Sequence, residues 1–279
     1  MRNRATAIRV LIGTWIVLAV AGDIGLGLAP MPPGLASNLA SDESEVIRVL
    51  SMAGWPIFSG VLAGLFFTLI INKFAPSQSE VTAVELRGNS RLQATWIVTT
   101  VVLVLILATY GTVELAVEEP GGGITTVSAA LPAPTSADQP LEVQVIAQQW
   151  WFTFRYPTYG GIETAQLVLP VGQKIEFNVT SLDVVHSFNF YALGVKADAV
   201  PLNDNQVTVT PTEIGTYRVQ CTELCGLWHG NMAENTAMVV SQADFATWIQ
   251  QQTALDAPVM KYLPPYSHTY EPDPAVYGH

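Results

Sequence analysis

Two long uncharged runs dominate the pattern of apolar and polar positions in the first part of the chain. Residues 49–72 and 92–113, runs of 24 and 22 residues, contain no charged side chain. As helices they would extend about 36 and 33 Å, which is enough to cross the hydrocarbon core of a bilayer. A buried helix of a soluble protein seldom stays uncharged on every face over this length. The pattern therefore predicts two transmembrane helices.

A third apolar stretch, residues 8–28, follows an arginine-rich start. Residues 19–21 (Ala-Val-Ala) fit a signal-peptidase site after a short apolar core, which is typical of a secretory signal peptide. Apolar sequence nevertheless continues past Asp23 to residue 28. Residues 1–30 are predicted to be a signal peptide or a first transmembrane helix, and the longer apolar run favours the helix.

The rest of the chain is predicted to contain a membrane anchor, a linker and a β domain, in that order. Residues 46–114 are predicted to form the two-helix anchor, and residues 115–140 a linker rich in Gly, Pro, Ala, Thr and Ser. Short runs typical of β-strands then follow, at 142–146, 166–169, 174–180, 206–210, 216–220 and 237–239. Many short strands at this spacing predict a sandwich or small barrel over residues 141–253.

The end of this region predicts a helix and a tail. Ser241 and Asp244 form a capping-box pattern, which predicts a helix that starts just after Ser241. Residues 254–279, rich in Pro and Tyr, are predicted to extend over a neighbouring subunit.

The distribution of charge indicates the topology. The start of the chain and the segment 73–91 carry Lys and Arg, and cytoplasmic segments attract these residues. The first 113 residues hold 7 of the 12 basic and 6 of the 23 acidic side chains. The remainder therefore carries 5 basic against 17 acidic ones, a net charge of −12. We expect this acidic part to lie outside the cell membrane, where its field favours basic partners and repels nucleic acid.

Sulfur and imidazole donors are concentrated in one short segment. Cys221 and Cys225, the two cysteines of the chain, are followed closely by His229 and Met232. A further histidine, His186, follows a predicted strand at residues 181–185. Soft thiolate and thioether donors combined with imidazole select copper, with zinc as the main competitor. The pattern therefore predicts a metal site that favours copper.

Three alternatives to a two-copper site leave donors of this segment unexplained. A disulfide between Cys221 and Cys225, which an oxidising compartment allows, leaves His229 and Met232 without a role. A zinc site of two Cys and two His has the right number of ligands, but zinc does not use Met. A single blue copper needs one Cys only. Two coppers bridged by both thiolates use every donor, with one His on each copper and the thioether and a backbone carbonyl in weak axial positions.

The motif Cys-x-Glu-x-Cys-x-x-x-His-x-x-Met, preceded by Asp-Val-Val-His-Ser at 183–187, resembles subunit II of cytochrome c oxidase. The likeness also includes the apolar helices and the aromatic run at 149–152. It implies two or three transmembrane α-helices followed by an external all-β Greek-key domain of cupredoxin type. It further implies a dinuclear copper centre, CuA, that receives electrons and does no substrate chemistry of its own.

The resemblance assigns the site residues one by one. It implies six copper ligands: His186, Cys221, Glu223 through its carbonyl oxygen, Cys225, His229 and Met232. The two cysteines bridge the metals, the histidines are terminal, and the thioether and the carbonyl are axial. The Glu223 carboxylate would bind a magnesium ion at the interface with the catalytic subunit, and the segment 196–198 would lead into that interface. Trp150 would be the point at which electrons enter, and Asp183 an acidic position for docking of the donor.

This chain departs from the family pattern at three places. Arg155 stands where the family usually has an acidic residue, which reverses one docking charge and leaves the identity of the donor open. Gln93 replaces a glutamate at the mouth of a proton path, and Gln93 cannot ionise. Residues 201–203 (Pro-Leu-Asn) replace a Pro-Gly-Arg segment near the magnesium position.

The function implied is that of subunit II of a terminal cytochrome c oxidase in a bacterial-type cell membrane. Its partners would be the haem–copper catalytic subunit I, other oxidase subunits, and cytochrome c or a similar donor. The main alternative is the CuA subunit of a nitric-oxide reductase, which can share this domain. A membrane-tethered copper carrier is a less favoured alternative, because carriers need exchangeable sites with few ligands. The chain has no Cys-x-x-Cys-His motif for a fused cytochrome c.

Overall fold

The computed structural model describes residues 4–74, 88–117, 140–233 and 235–262. The chain forms two compact units. One contains Met1–Met31 and Glu45–Val117, and the other contains Pro32–Ser44 and Glu118–His279. The predicted linker lies almost wholly outside the described residues, and so does the tail after residue 262.

Among the residues that the structure describes, the apolar part of the chain forms three long helices. They are α1 (Arg4–Leu28), α2 (Asn38–Phe74) and α3 (Ser90–Val117). Each is long and apolar enough to cross a membrane, with candidate spans Ile8–Leu28, Asn38–Ile70 and Ser90–Glu114. Most of their apolar side chains are exposed, as expected for helices that face lipid or other subunits. The prediction of two or three membrane helices is confirmed, since three helices among the described residues meet the requirement of length and composition.

The described part of the second unit contains ten strands. They are β1 (Leu141–Gln148), β2 (Trp151–Tyr156), β3 (Ile162–Thr164), β4 (Leu167–Pro170), β5 (Ile175–Ser181), β6 (His186–Phe190), β7 (Val195–Ala199), β8 (Asn205–Val209), β9 (Gly215–Cys221) and β10 (Asn235–Val240). One sheet has the order β3-β2-β1-β5-β8, and the other the order β4-β10-β9-β6-β7. The predicted all-β domain is confirmed.

Four phenylalanines join the faces of the two sheets. Phe188 on β6 lies 5.2 to 5.7 Å, between ring centroids, from Phe177 on β5 and Phe152 on β2. It also lies 6.2 Å from Phe154. All four side chains are fully buried, and aromatic rings of this kind contribute much of the energy of a core. Because β6 also starts with His186, this packing holds one predicted ligand on a rigid strand.

A fourth helix, α4 (Gln242–Asp256), closes one end of this unit. The side chain of Ser241 accepts a hydrogen bond from the backbone N–H of Asp244, which confirms the predicted cap. Phe245 and Ile249 are buried beneath the helix. The helix continues through Asp256, so the predicted start of the tail at residue 254 falls inside its last turn.

The segment Pro32–Ser44 packs on the strands of the second unit. The hydroxyl of Ser37 donates to the carbonyl oxygen of Leu193 at 2.7 Å. Backbone hydrogen bonds join Asn38 to Thr210 and Thr212 to Ala36. The sequence predicts the start of the anchor at residue 46, whereas the structure starts α2 at Asn38 and packs the segment Pro32–Ser44 on the β domain.

Candidate metal centre

Adjacent strands bring the predicted ligands together. His186 is the first residue of β6, and Cys221 is the last residue of β9. These strands are paired antiparallel, with Phe188 opposite Cys221. The start of β6 and the end of β9 therefore lie at the same end of the sheet, and both ligands lie there. The chain then turns back through Cys225, and a short helical turn, His229–Ala233, carries the remaining His and Met ligands.

The two cysteine sulfurs lie at the centre of the site. Their Sγ atoms are 3.9 Å apart and not bonded, so the disulfide interpretation does not hold. The Sγ atom of Cys221 lies 3.9 Å from Nδ1 of His186 and 3.2 Å from the carbonyl oxygen of Glu223. The Sγ atom of Cys225 lies 3.3 Å from Nδ1 of His229 and 3.6 Å from Sδ of Met232. Each sulfur thus has one imidazole nitrogen and one weaker donor of its own.

The donors are mostly removed from water. His186 and Met232 are fully buried, and the two cysteines are nearly so. His229 is half-buried, and the Glu223 side chain is exposed while its carbonyl oxygen faces Cys221. A buried set of two thiols, two imidazoles and a thioether has the chemistry that copper prefers. The residues present therefore fit copper better than zinc, which does not use a thioether.

The two thiols differ in how readily they ionise. Desolvation raises the pKa of Cys221, but hydrogen bonds with His186 and with backbone groups outweigh this effect and lower the pKa to about 6. Desolvation and the neighbouring Cys221 thiolate together raise the pKa of Cys225 to about 12. Two thiolates this close repel each other, so a bound cation is needed to hold both in the ionised form.

Asp183 orients the buried histidine. Nε2 of His186 donates to Oδ1 of Asp183 at 2.9 Å, which leaves Nδ1 facing the sulfur of Cys221. The carboxylate also accepts the backbone N–H of Val184 at 2.6 Å and that of Gln149 at 2.7 Å. Burial raises the pKa of Asp183, and these hydrogen bonds outweigh it and lower the pKa overall. A carboxylate behind a ligating imidazole fixes the ring and strengthens it as a ligand.

Gln149 is a site residue that the sequence did not single out. Its backbone N–H bonds to Asp183, and its side-chain Nε2 donates to the carbonyl oxygen of Cys225 at 2.7 Å. The turn between β1 and β2 thereby joins the loop before His186 to the loop that carries the second cysteine. The sequence shows the aromatic run at 149–152. It does not show that the Gln149 side chain bonds to a residue 76 positions away.

Trp150 lies against the same ligand loop. It is partly buried on the edge of the core, not fully exposed above the site. A Cβ atom on Gly226, the residue after Cys225, would come within 3.3 Å of Nε1 of Trp150. The positive φ of 123° and this close approach both favour glycine at position 226.

Exposed apolar side chains lie on segments close to the ligands in the sequence, and we call them the apolar rim. They are Trp151 at the start of β2, Leu182, Val184 and Val185 before His186, and Leu224, Leu227 and Trp228 between Cys221 and His229. Exposed apolar side chains of this kind are typical of surfaces that another molecule contacts.

Arg155 does not lie on the docking surface, and the inference that it reverses a docking charge is wrong. Its side chain is 4% exposed, and Nε lies 3.6 Å from Oε1 of Glu163 across the β2–β3 pair. Nε also donates to the carbonyl oxygen of Gly161. The charge is neutralised inside the domain, so it bears little on the identity of the donor.

The remaining predicted positions lie on β7, in the turn after it and on α3. Lys196 and Asp198 form an exposed ion pair of 3.6 Å on β7, and Leu202 has a positive φ of 63° in the turn that follows β7. Gln93 is exposed in the first turn of α3, which Asn89 caps through its side-chain oxygen. His268 and His279 lie outside the described residues.

Comparison with known proteins finds similarity to cytochrome c oxidase subunit II. Residues 163–240 match the family described as cytochrome c oxidase subunit II, periplasmic domain. Cytochrome c oxidase subunit 2 of Alkalihalophilus pseudofirmus is 28% identical over 260 residues, which cover 91% of this chain and 71% of the relative. That of Thermostichus vulcanus is 27% identical over 275 residues, which cover 82% of each chain. The crystal structure of the periplasmic domain of subunit II from Bradyrhizobium japonicum is 30% identical, with a TM-score of 0.40, and covers 44% of this chain and 99% of that one. Residues 163–240 of this chain thus match the periplasmic domain of cytochrome c oxidase subunit II, and the similarity to the curated subunits 2 extends over most of the chain.

Proposed function

We propose that this chain receives electrons for a terminal oxidase through a dinuclear copper centre. The donor would be cytochrome c or a similar carrier. The acceptor would be the haem–copper catalytic subunit, which reduces oxygen to water. The observation that carries the proposal is the convergence of two thiols, two imidazoles, a thioether and a carbonyl at one edge of the β domain.

The arrangement of the donors supports two metals rather than one. The site has two similar halves, each with a sulfur, an imidazole nitrogen and one weak donor. A single copper would use one thiolate and leave the other half without a role. Cys221 and Cys225, with the donors around them, would hold a copper pair, which would supply one-electron transfer.

The protein keeps the ligands in place during electron transfer. His186 and Cys221 lie on paired strands whose core side chains are fully buried. Asp183 fixes the ring of His186 from behind, and Gln149 ties the Cys225 loop to it. A site that is already held in one geometry needs little rearrangement when its charge changes, which favours rapid transfer.

Trp150 and the apolar rim are the proposed route for electrons. Trp150 contacts the glycine next to Cys225, so an electron that reaches its indole is one residue from a copper ligand. The rim offers an apolar contact area, while the net charge of −12 on residues after 113 attracts a basic donor over a longer range. Asp183 would contribute to that field, because its side chain is 32% exposed although its oxygens are hydrogen-bonded within the domain.

Glu223 is proposed to serve two metals with different atoms. Its carbonyl oxygen faces Cys221, whereas its exposed carboxylate is available to a magnesium ion at the interface with the catalytic subunit. Carboxylate oxygens are ligands that magnesium prefers. The proposed location is a bacterial inner membrane, with the copper domain on the outer side.

The buried donors argue against a copper carrier, because a carrier must release its metal readily. A nitric-oxide reductase could use the same copper domain, since the gas is reduced in the partner subunit. Uptake of oxygen and of nitric oxide by the purified complex separates these two enzymes.

The test of the proposal uses the intact oxidase complex and stopped-flow oxidation of reduced cytochrome c. Cys221→Ser should abolish electron transfer from the donor, because one bridging ligand is lost. The same variant should still reduce oxygen when dithionite supplies electrons directly to the haems. Thr222→Ser, at the exposed neighbouring position, is the matched control and should behave like the unaltered protein. Normal donor oxidation by Cys221→Ser would overturn the proposal.

A further inference from the structure

Helices α1 and α2 are joined by a reciprocal pair of tryptophan contacts. Nε1 of Trp15 on α1 donates to the carbonyl oxygen of Pro56 on α2 at 2.8 Å. Nε1 of Trp55 on α2 donates to the carbonyl oxygen of Leu18 on α1 at 3.0 Å. Each helix therefore supplies one indole donor and one backbone acceptor to the other.

A glycine stands beside each acceptor and makes the contact possible. Gly22 follows Leu18 by one turn of α1, and a Cβ atom there would overlap the indole of Trp55. Gly60 follows Pro56 by one turn of α2, and a Cβ atom there would lie 3.0 Å from Nε1 of Trp15. Small residues allow close approach of helices in a membrane, where hydrogen bonds between helices also stabilise the pair.

A third contact holds the end of α1. Nη1 of Arg48 on α2 donates to the carbonyl oxygens of Leu26, Gly27 and Ala29 at 2.7 to 3.1 Å. The last carbonyl groups of a helix have no partner within it, and they carry partial negative charge that favours a cation. Arg48 thus satisfies acceptors that would otherwise be left without a donor at the end of a membrane helix.

We propose that α1 is a permanent transmembrane helix of the mature protein, paired with α2, and not a cleaved signal peptide. The Ala-Val-Ala segment at 19–21 lies inside the continuous helix Arg4–Leu28. Cleavage after it would remove Trp15 and the Leu18 acceptor, and would leave Trp55 and the Pro56 carbonyl without their partners. A helix made only for export has no need of a matched set of contacts along its length.

The first test is the mass of the full-length subunit purified from membranes of the cells that produce it. Peptides upstream of residue 19 should be recovered in the same amount as peptides of the β domain. A mature chain that begins at or after Gly22 would overturn the proposal.

The second test measures the pairing in the full-length chain in detergent. Ala63 on α2 is buried, at 7% exposure, whereas Val61 is 65% exposed, so Ala63→Cys should react with a maleimide much more slowly than Val61→Cys. Peptide mass spectrometry separates these thiols from the native cysteines.

The matched control lies one turn along α1. Adding Gly22→Leu should remove the protection of Cys at position 63, because a side chain at position 22 overlaps the Trp55 indole and prevents the close approach of α1 and α2. Gly25→Leu should leave the protection intact, since a Cβ atom at Gly25 has nothing within 4 Å. Equal labelling at positions 61 and 63, or protection that survives Gly22→Leu, would show that the helices are not paired in this way.

Discussion

Replacement of Asp183 by asparagine separates its structural role from a role in docking. The carboxylate accepts two backbone N–H groups and the Nε2–H of His186. An asparagine can keep its oxygen at the Oδ1 position, where Val184 and His186 donate. Its NH₂ group must then face the N–H of Gln149, so one charge-assisted hydrogen bond is replaced by two opposed donors.

The expected loss of stability follows from the loss of this one hydrogen bond to a charged group. A hydrogen bond to a charged group contributes about 1.5–3 kcal/mol. Partial exposure of the Asp183 side chain, 32%, lets water compensate some of the loss. We therefore expect Asp183→Asn to lower the free energy of unfolding of the copper-free β domain by about 2 kcal/mol, or roughly 30-fold in the equilibrium constant.

Pulse proteolysis of the full-length chain in urea, without copper, measures this change. The loss should persist at high salt, because the bonds are short and local. Asp198→Asn is the control: Asp198 is 50% exposed and has a surface ion pair with Lys196, so its replacement should cost no more than about 0.5 kcal/mol. If the two variants are equally stable, Asp183 does not hold the loop as argued. A docking role would appear separately, as slower association with the donor that recovers as salt rises.

Three further variants test other parts of the site. Arg155→Glu should lower the free energy of unfolding by about 3 kcal/mol or more in the same assay, because it buries a second carboxylate against Glu163; a stable variant with faster donor association would contradict the burial. Met232→Leu should keep the copper content but shift the reduction potential in a redox titration, since a thioether is a weak axial ligand; loss of all copper would refute the axial assignment. Trp150→Phe should slow electron transfer within the donor complex while donor affinity stays nearly constant, and an unchanged stopped-flow rate would place the electron route elsewhere.

The membrane helices were predictable because lipid imposes a simple requirement on composition and length. Residues 49–72 and 92–113 meet it, and both lie within helices of the structure. The start of α2 was missed, because the first residues of that helix, from Asn38, are fixed by hydrogen bonds to Thr210, far away in the sequence. Short strands such as β3 and β7 were missed for a similar reason, since pairing with distant strands decides them.

The sulfur and imidazole donors were predictable because their types and spacing are rare. Gln149 was not, since an amide has no characteristic spacing and acts through contacts with Asp183 and Cys225. The position of Arg155 was misjudged for a related reason. A charged residue is expected at the surface, and only the pairing of β2 with β3 shows that Glu163 neutralises it inside the domain.

Copper content together with the paramagnetic spectrum of the purified full-length chain tests the central claim most directly. The account predicts about two copper ions per chain that share one unpaired electron, because the two sulfurs lie between two similar sets of donors. A single copper with the spectrum of a blue site, or a chain that retains zinc alone, would contradict it.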